Sequence, residues 1–313
     1  MTAINAMQFG NNSGGMVADS QSSTRLRKYD TSEKVGTLQS ANGTRALIGG
    51  TGTSFLLYEA QTRLQKQFPK EKEFGLRELA EGLAGILTEI GRDVIDAEMK
   101  GRFGFGANEY IAGRLNNGTP IGQHLLSPAG EVYLGRDPDI RQTKNNEFLV
   151  VGADSAGNGL YLVPMGERPF LSSFAYGSAG SGQDESDKAL HDFVRRLPRA
   201  DRHTIDKIDG MTALVRATNR SSELNQGVGG IPTVAYFDEA GVSVLDEDRS
   251  LLSTEIVKAG DAALLTSADV RRALSKLIFE KEDSRDVEKE VFLDKNNVAE
   301  IMRFLRGYRV VQS

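Results

Sequence analysis

Thr2-Ala-Ile-Asn-Ala-Met-Gln-Phe9 and the turn that follows, Gly10-Asn-Asn-Ser-Gly14, decide how the rest of the chain is read. The octapeptide has the composition of a strand, and the Gly/Asn/Ser cluster after it is turn chemistry. Ala3 is small, so removal of the initiator Met1 is expected to leave Thr2 as the N-terminus. An N-terminal threonine carries its hydroxyl and an amine on one residue, a nucleophile with its general base built in. The α-amine titrates near neutrality, at about 7.7–8.0 when unperturbed, where a general base works best.

Outward from this strand, Gly15-Met-Val-Ala-Asp-Ser20, Ser32-Glu-Lys-Val-Gly36 and Ala46-Leu-Ile-Gly-Gly-Thr-Gly52 follow in order. A second block runs from Gly152-Ala-Asp-Ser-Ala-Gly-Asn-Gly-Leu-Tyr-Leu to Phe174-Ala-Tyr-Gly-Ser-Ala-Gly-Ser-Gly182. Lys34 stands 32 residues after Thr2, Asp19 17 after Thr2, and Gly49 15 after Lys34. In this order and spacing the chain resembles the proteasome β-subunit family, as a divergent bacterial or archaeal-type member. The family's active site is a mature N-terminal Thr, an Asp in a V-A-x-D-S/T strand end, a Lys heading a short strand and a Gly before the first helix. The resemblance places Thr2, Asp19, Lys34 and Gly49 in those roles, and matches Gly180-Ser181-Gly182 to the family's G-S-G. It covers residues 2–69 and roughly 148–247.

The resemblance implies an α+β fold, the four-layer αββα sandwich of N-terminal-nucleophile hydrolases. On that basis residues 2–247 are the hydrolase domain, with an insertion at about 101–147, and residues 248–313 a C-terminal helical extension. It implies a threonine peptidase acting through an acyl-enzyme on Thr2, on peptide or unfolded protein substrates. It also implies a homo-oligomeric ring and allows for an ATPase partner. Two alternatives stand beside it: an amidase or acyl transferase on small amides, and a non-catalytic assembly subunit.

Each residue also has a plainer reading. Asp19 and Lys34 could be a structural ion pair, Gly49 could reflect only the strand-to-helix turn, and Ser181 could be a polar residue in a Gly-rich bend. In the catalytic reading Lys34 lowers the amine pKa, Asp19 aims Lys34, and Gly49 N–H faces the developing oxyanion. One departure from the family stands out. The family carries R-D-x-x-S-G-G before its last hairpin, whereas here the stretch is Asn219-Arg-Ser-Ser-Glu-Leu-Asn-Gln-Gly-Val-Gly-Gly230. Counting from Gly229-Gly230 puts Asn225 on the Asp and Val228 on the Ser. Counting from Arg220 puts Ser221 on the Asp. The carboxylate is missing either way.

The rest of the chain supplies elements. Leu56, Leu57, Ala60, Leu64 and Phe68 mark one helix, ended by Pro69, and Leu76 to Val94 a second. Glycines break the pattern from Gly101 to Glu147, read as a flexible insertion. Phe148–Gly152 and Gly159–Val163 form a hairpin, and Phe170–Ala175 is the strand expected to deliver Ser181. Helical spacing returns at Leu190–Leu197 and Ile205–Val215, and Thr233–Phe237 with Val242–Leu245 closes a sheet. Beyond Asp246, Val270/Leu274/Leu277 and Val298/Ile301/Leu305 are apolar stripes that must bury against their own domain or a neighbouring subunit, burial between subunits being the expectation, with a solvated charged run at Glu280–Glu290 between them.

Composition bounds the chemistry. The 313 residues are 39% hydrophobic with a formal charge of −5, and no basic stripe suggests nucleic acid or anionic membrane. There is no cysteine, which excludes thiol catalysis and thiolate metal sites. His124, His191 and His203 fall in separate elements and make no metal set or triad. No cofactor, metal or membrane is expected. The absence of a signal segment gives a cytoplasmic expectation, with Met1 the one residue to remove.

Overall fold

A computed structural model describes residues 2–20, 22–23, 28–29, 34–225, 228–293 and 298–305. Met1, Ser32, Glu33, Gln226 and Gly227, which figure in the sequence reading, lie outside the described residues.

Strands β1 (Ile4–Phe9) and β2 (Ser13–Ala18) form the expected opening hairpin. A two-residue pair, β3 (Ser22–Ser23) and β4 (Lys28–Tyr29), precedes β5 (Val35–Gln39) and β6 (Arg45–Thr51). Helices α1 (Ser54–Gln67) and α2 (Leu76–Phe103) follow. Three short helices come next, α3 (Ala107–Ala112), α4 (Gln123–Tyr133) and α5 (Pro138–Lys144). Then come β7 (Glu147–Asp154), β8 (Gly157–Pro164), β9 (Phe170–Leu171) and β10 (Tyr176–Ala179). Helices α6 (Gln183–Arg196) and α7 (Lys207–Leu224) lead to β11 (Thr233–Asp238) and β12 (Gly241–Val244). The chain continues through α8 (Glu247–Asp261), α9 (Ser267–Leu274), α10 (Ser284–Glu288) and α11 (Val298–Leu305).

Two five-stranded sheets result, in the orders β10-β1-β2-β11-β12 and β5-β6-β7-β8-β9, and every recorded pairing is antiparallel. The chain is therefore α+β, compatible with an α+β sandwich. Strand alternation sorts its side chains into separate cores. Ile4, Ala6, Met16 and Ala18 of the first sheet share one cluster with Leu47, Leu149, Val151 and Leu160 of the second. Met7, Phe9 and Val17, on the opposite face, join α6, α7, α8 and α9 through Leu190, Met211, Leu214, Ile256 and Leu274. Ile48, Phe148 and Val150 face α1 and α2 through Leu56, Leu64, Leu79, Leu83 and Leu87. No helix among the described residues is long and apolar enough to cross a membrane.

Three expectations are corrected. The segment read as a flexible insertion is largely helical, and Met99, Phe105, Ile121, Ala129, Val132 and Ile140 give it a small core against α2. Two of the glycines taken as loop punctuation, Gly104 and Gly113, are left-handed C-caps at φ 78° and 66°, a conformation that glycine reaches without steric cost. The strand expected over Phe170–Ala175 is instead split. Phe170–Leu171 edges the second sheet, and Tyr176–Ala179, in the first, leads to Ser181. Last, the C-terminal stripes are not left for a neighbouring subunit. Val270, Leu274, Leu277, Ile301 and Leu305 are buried in the chain's own core, with Val287 and Phe292 from within and just after the charged run.

That burial predicts the outcome of truncation. A chain ending at Asp246 loses Leu252, Ile256, Val257, Leu274, Leu277, Ile278 and Phe292, all 0% exposed. At about 1.5–3 kcal/mol per buried large side chain, the loss matches or exceeds a typical domain stability of about 5–15 kcal/mol. The truncated protein should be insoluble or lack a cooperative melt by circular dichroism. A soluble, cooperatively melting truncation would show that the extension is dispensable to the core.

Candidate active site

The site is built where the two sheets meet at the start of the chain. Asp19 follows directly on β2 and Lys34 directly precedes β5, so the ends of two strands from different sheets carry the pair. Asp19 Oδ1 accepts from Lys34 Nζ at 2.8 Å and from Ala3 N–H at 2.8 Å. Its other oxygen, Oδ2, accepts from Gly229 N–H at 3.3 Å. One carboxylate thus holds the lysine, the residue next to Thr2 and the approach to β11. Because a single oxygen serves both, the Lys34 ammonium lies within two hydrogen-bond lengths of the Ala3 amide. Asp19 and Lys34 are 2% and 4% exposed. Burial pushes the Asp19 carboxyl up and the Lys34 ammonium down, while their mutual attraction and hydrogen bond act against both shifts.

Thr2 is 7% exposed. Its N–H donates to Ser181 Oγ at 3.0 Å, and its carbonyl accepts from Gly182 N–H at 3.1 Å and from Ser181 Oγ at 3.4 Å. Gly180 makes this approach feasible. It sits at φ 95°, and a Cβ there would collide with the Thr2 carbonyl oxygen. The structure therefore brings Thr2, Asp19, Lys34 and Ser181 together.

Gly49 is placed differently from its expected role. It pairs with Val35 on one side and Leu149 on the other. The Gly50 N–H donates to the Lys34 carbonyl at 3.1 Å. Along an antiparallel strand successive N–H groups face opposite sides, so the Gly49 N–H points into the β7 ladder, away from Lys34. The amide turned toward the Lys34 side belongs to Gly50. Gly49 has its own steric reason to be glycine: a Cβ there would come within 2.6 Å of Ile4 Cγ2 and 2.7 Å of Met16 Sδ, between the sheets. The register of the β5–β6 pair, set by turn length, was not readable from residue spacing.

The departure from R-D-x-x-S-G-G also acquires a geometry. Asn225 Nδ2 donates to the Ser181 carbonyl at 2.9 Å. Ser221, 0% exposed, donates to the Gly182 carbonyl at 2.8 Å and shares a hydrogen bond with Ser186 at 2.6 Å. Both candidates for the missing carboxylate's place therefore brace the loop that grips Thr2, with neutral groups. Ser186, Gly229 and the Ala3 amide were missed from the sequence. Serine in a helix and a backbone N–H carry no sequence signal of their own. Of the histidines, His191 meets the Tyr176 hydroxyl at 3.1 Å through Nδ1. Among the described residues no group of three or more His, Asp or Glu is placed to hold a metal ion.

No family model matches the chain, and no curated protein matches it either. Solved structures do. Anbu (ancestral beta-subunit) from Yersinia bercovieri superposes with a TM-score of 0.55 at 11% identity, covering 85% of this chain and 95% of its own. Anbu from Hyphomicrobium sp. strain MC1 superposes at 0.54 and its Gly-1 mutant at 0.55, both at 10% identity, covering 88% of this chain and 97% of theirs. These likenesses show the fold. They also correct the assignment to the proteasome β-subunit family: no model of that family matches, and the structural neighbours are Anbu proteins at 10–11% identity.

The Asp19–Lys34 pair makes a stability prediction. Lys34→Met leaves a buried carboxylate without its cation, and breaking a buried pair this way costs about 3–5 kcal/mol. Loss of Lys34 also removes the strongest influence lowering the Asp19 pKa, so that pKa rises further. Below the ordinary carboxylate range Asp19 is protonated in folded and unfolded chains alike, and the cost vanishes. It grows as pH rises through the raised folded value. Urea melts should therefore show a large deficit at about pH 7 and little at about pH 3. Wild-type stability at neutral pH would mean that the pair does not hold the site together.

Proposed function

We propose that the chain is an N-terminal-threonine amide hydrolase, a peptidase, that becomes active when Met1 is removed. The observation that carries this reading is the shared Asp19 oxygen, which ties the Lys34 ammonium to the residue bonded to Thr2, while Ser181 Oγ meets the Thr2 nitrogen. With Met1 gone, that nitrogen is the α-amine. Lys34 then keeps the amine neutral by like-charge repulsion, and Asp19 keeps Lys34 protonated. The amine takes the proton from the Thr2 hydroxyl as its oxygen attacks the carbonyl carbon of the scissile amide. Collapse breaks the C–N bond, the ammonium returns its proton to the leaving amine, and an ester on Thr2 remains. Water, deprotonated by the same amine, releases the acid and restores the hydroxyl.

The layering that suits this chemistry is a four-layer αββα sandwich, residues 2–247, with a helical insertion at about 101–147 and the extension at 248–313. The neighbours' description as an ancestral beta-subunit denotes part of an assembly, and we extend that to this chain as a homo-oligomer. A non-catalytic subunit is the second reading. It is favoured by the neutral Asn225 and Ser221 at the loop that grips Thr2, at the two positions that stand for the family's Asp.

Two measurements separate the readings. Intact mass of the purified protein should lack Met1. A peptide electrophile that captures an N-terminal threonine should label wild type but not Thr2→Ala, and Thr2→Ala should lose peptide hydrolysis while keeping its melting temperature. One triad-type nucleophile is worth several powers of ten in rate, so residual activity near wild type would sink the catalytic reading. A retained Met1 with no labelling would support the non-catalytic subunit.

A further inference from the structure

A concave surface at the Tyr176 end of β10, the end away from Ser181, is built from chemistry that the reaction above does not use. It lies between the last turns of α6, the turn at Arg199–His203 and the Ser173–Tyr176 segment, and encloses a cavity of about 410 Å³. Its walls carry Arg195, Arg202, His191 and His203, with Phe174 and Tyr176 as an aromatic side. That volume is within the roughly 300–1,000 Å³ of small-molecule sites. A second cavity of about 460 Å³ shares Phe174, Tyr176 and His191 and runs on past Asp187 and Lys188 to Gln183, giving the apolar part of a bound molecule room to extend.

The local charge is out of keeping with the chain. The cavity's lining holds Arg195 and Arg202 and no Asp or Glu, in a protein of net charge −5. The two guanidiniums at the cavity are also not neutralised. Arg202 donates from Nε to the Leu197 carbonyl at 3.4 Å and from Nη2 to the Arg195 carbonyl at 3.2 Å. Among the described residues neither Arg195 nor Arg202 is ion-paired with a carboxylate, Asp192 and Asp201 included. A cation at the C-terminus of α6 complements the helix dipole, which accounts for a basic residue at 195 or 196. It does not account for Arg202 on a separate turn, nor for the aromatic side. Phe174 is 60% exposed beside Tyr176, their ring centroids 5.8 Å apart.

We infer that this cavity binds an oxyanion carried on a planar apolar group, an aromatic carboxylate or phosphate ester. Guanidinium groups bind such oxyanions through paired N–H donors, more strongly than neutral groups do. The ring of the ligand covers Phe174 and removes apolar surface from water. Tyr176, whose hydroxyl is engaged with His191, orients the imidazole from behind.

The test is direct binding to the full chain by calorimetry, with phenyl phosphate, phenylacetate and inorganic phosphate as probes. Because binding is read, the result is independent of whether Thr2 is a nucleophile. At least one aromatic probe should saturate the protein, and inorganic phosphate should bind about tenfold more weakly, for want of a ring. The tighter of the two aromatic probes identifies the anion as phosphate or carboxylate. Arg195→Gln and Phe174→Ser, both at exposed side chains, should each weaken binding about tenfold or more with the melting temperature unchanged. Failure of both aromatic probes to saturate in the millimolar range, or wild-type affinity in both variants, would overturn the site.

Discussion

The Asp19 carboxylate is the contact on which the geometry at the start of the chain depends. It is nearly inaccessible to water, and taking such a charge out of solvent is costly unless its oxygens are hydrogen-bonded and a cation stands beside it. Both conditions are met here by groups from different parts of the fold: the Ala3 amide, the Lys34 ammonium and the Gly229 amide. The first sheet, the strand that opens the second sheet, and the loop before β11 are thereby referred to one point. Thr2 inherits its position from this network, because the residue bonded to it is one of the three donors.

Close packing between the sheets is what allows that point to exist. Side chains that would separate the layers are missing where they are nearest: Gly49 lies against Ile4 and Met16, and Gly177 against Leu160 and Leu149. Around this contact the apolar faces are divided cleanly, with odd-numbered β1 residues facing the α6–α9 helices and even-numbered ones the opposing sheet. The C-terminal helices belong to the same structure. Their stripes complete the helical side of the first sheet's core, so the extension is a structural part of the chain and its apolar faces do not report on assembly.

The grip on Thr2 is made almost wholly from neutral groups. Ser181 meets the nitrogen, Gly182 and Ser181 hold the carbonyl, and Asn225, Ser221 and Ser186 brace that loop from below. Charge enters from the Asp19–Lys34 side and, on the other, from Glu147, whose carboxylate accepts from the Gly180 N–H at 3.2 Å. An amine formed at Thr2 would therefore feel the buried Lys34 cation, with the nearby carboxylates of Asp19 and Glu147 each occupied by backbone N–H groups. This environment favours the neutral, proton-accepting amine over the ammonium.

The sequence by itself determined the strand hairpin at Thr2–Ala18, the two long helices after Thr51 and the 147–164 hairpin. Those features are encoded locally, in alternation, helical spacing and turn residues; the grouping of Thr2, Asp19, Lys34 and Ser181 was an expectation from the family resemblance, and its Thr2–Ser181 contact bridges 179 residues through the fold. The tertiary structure alone decided three other things. Ladder register assigned the amide on the Lys34 side to Gly50 and left Gly49 to the sheet, because a shift of one residue reverses the direction of every N–H and changes no composition. Glycines from 101 to 147 proved to be helix caps as well as loops, since the residue type permits both and only the φ angle distinguishes them. The stripes beyond Asp246 turned inward, because a periodic apolar face specifies that it must be buried but carries no information on which surface covers it.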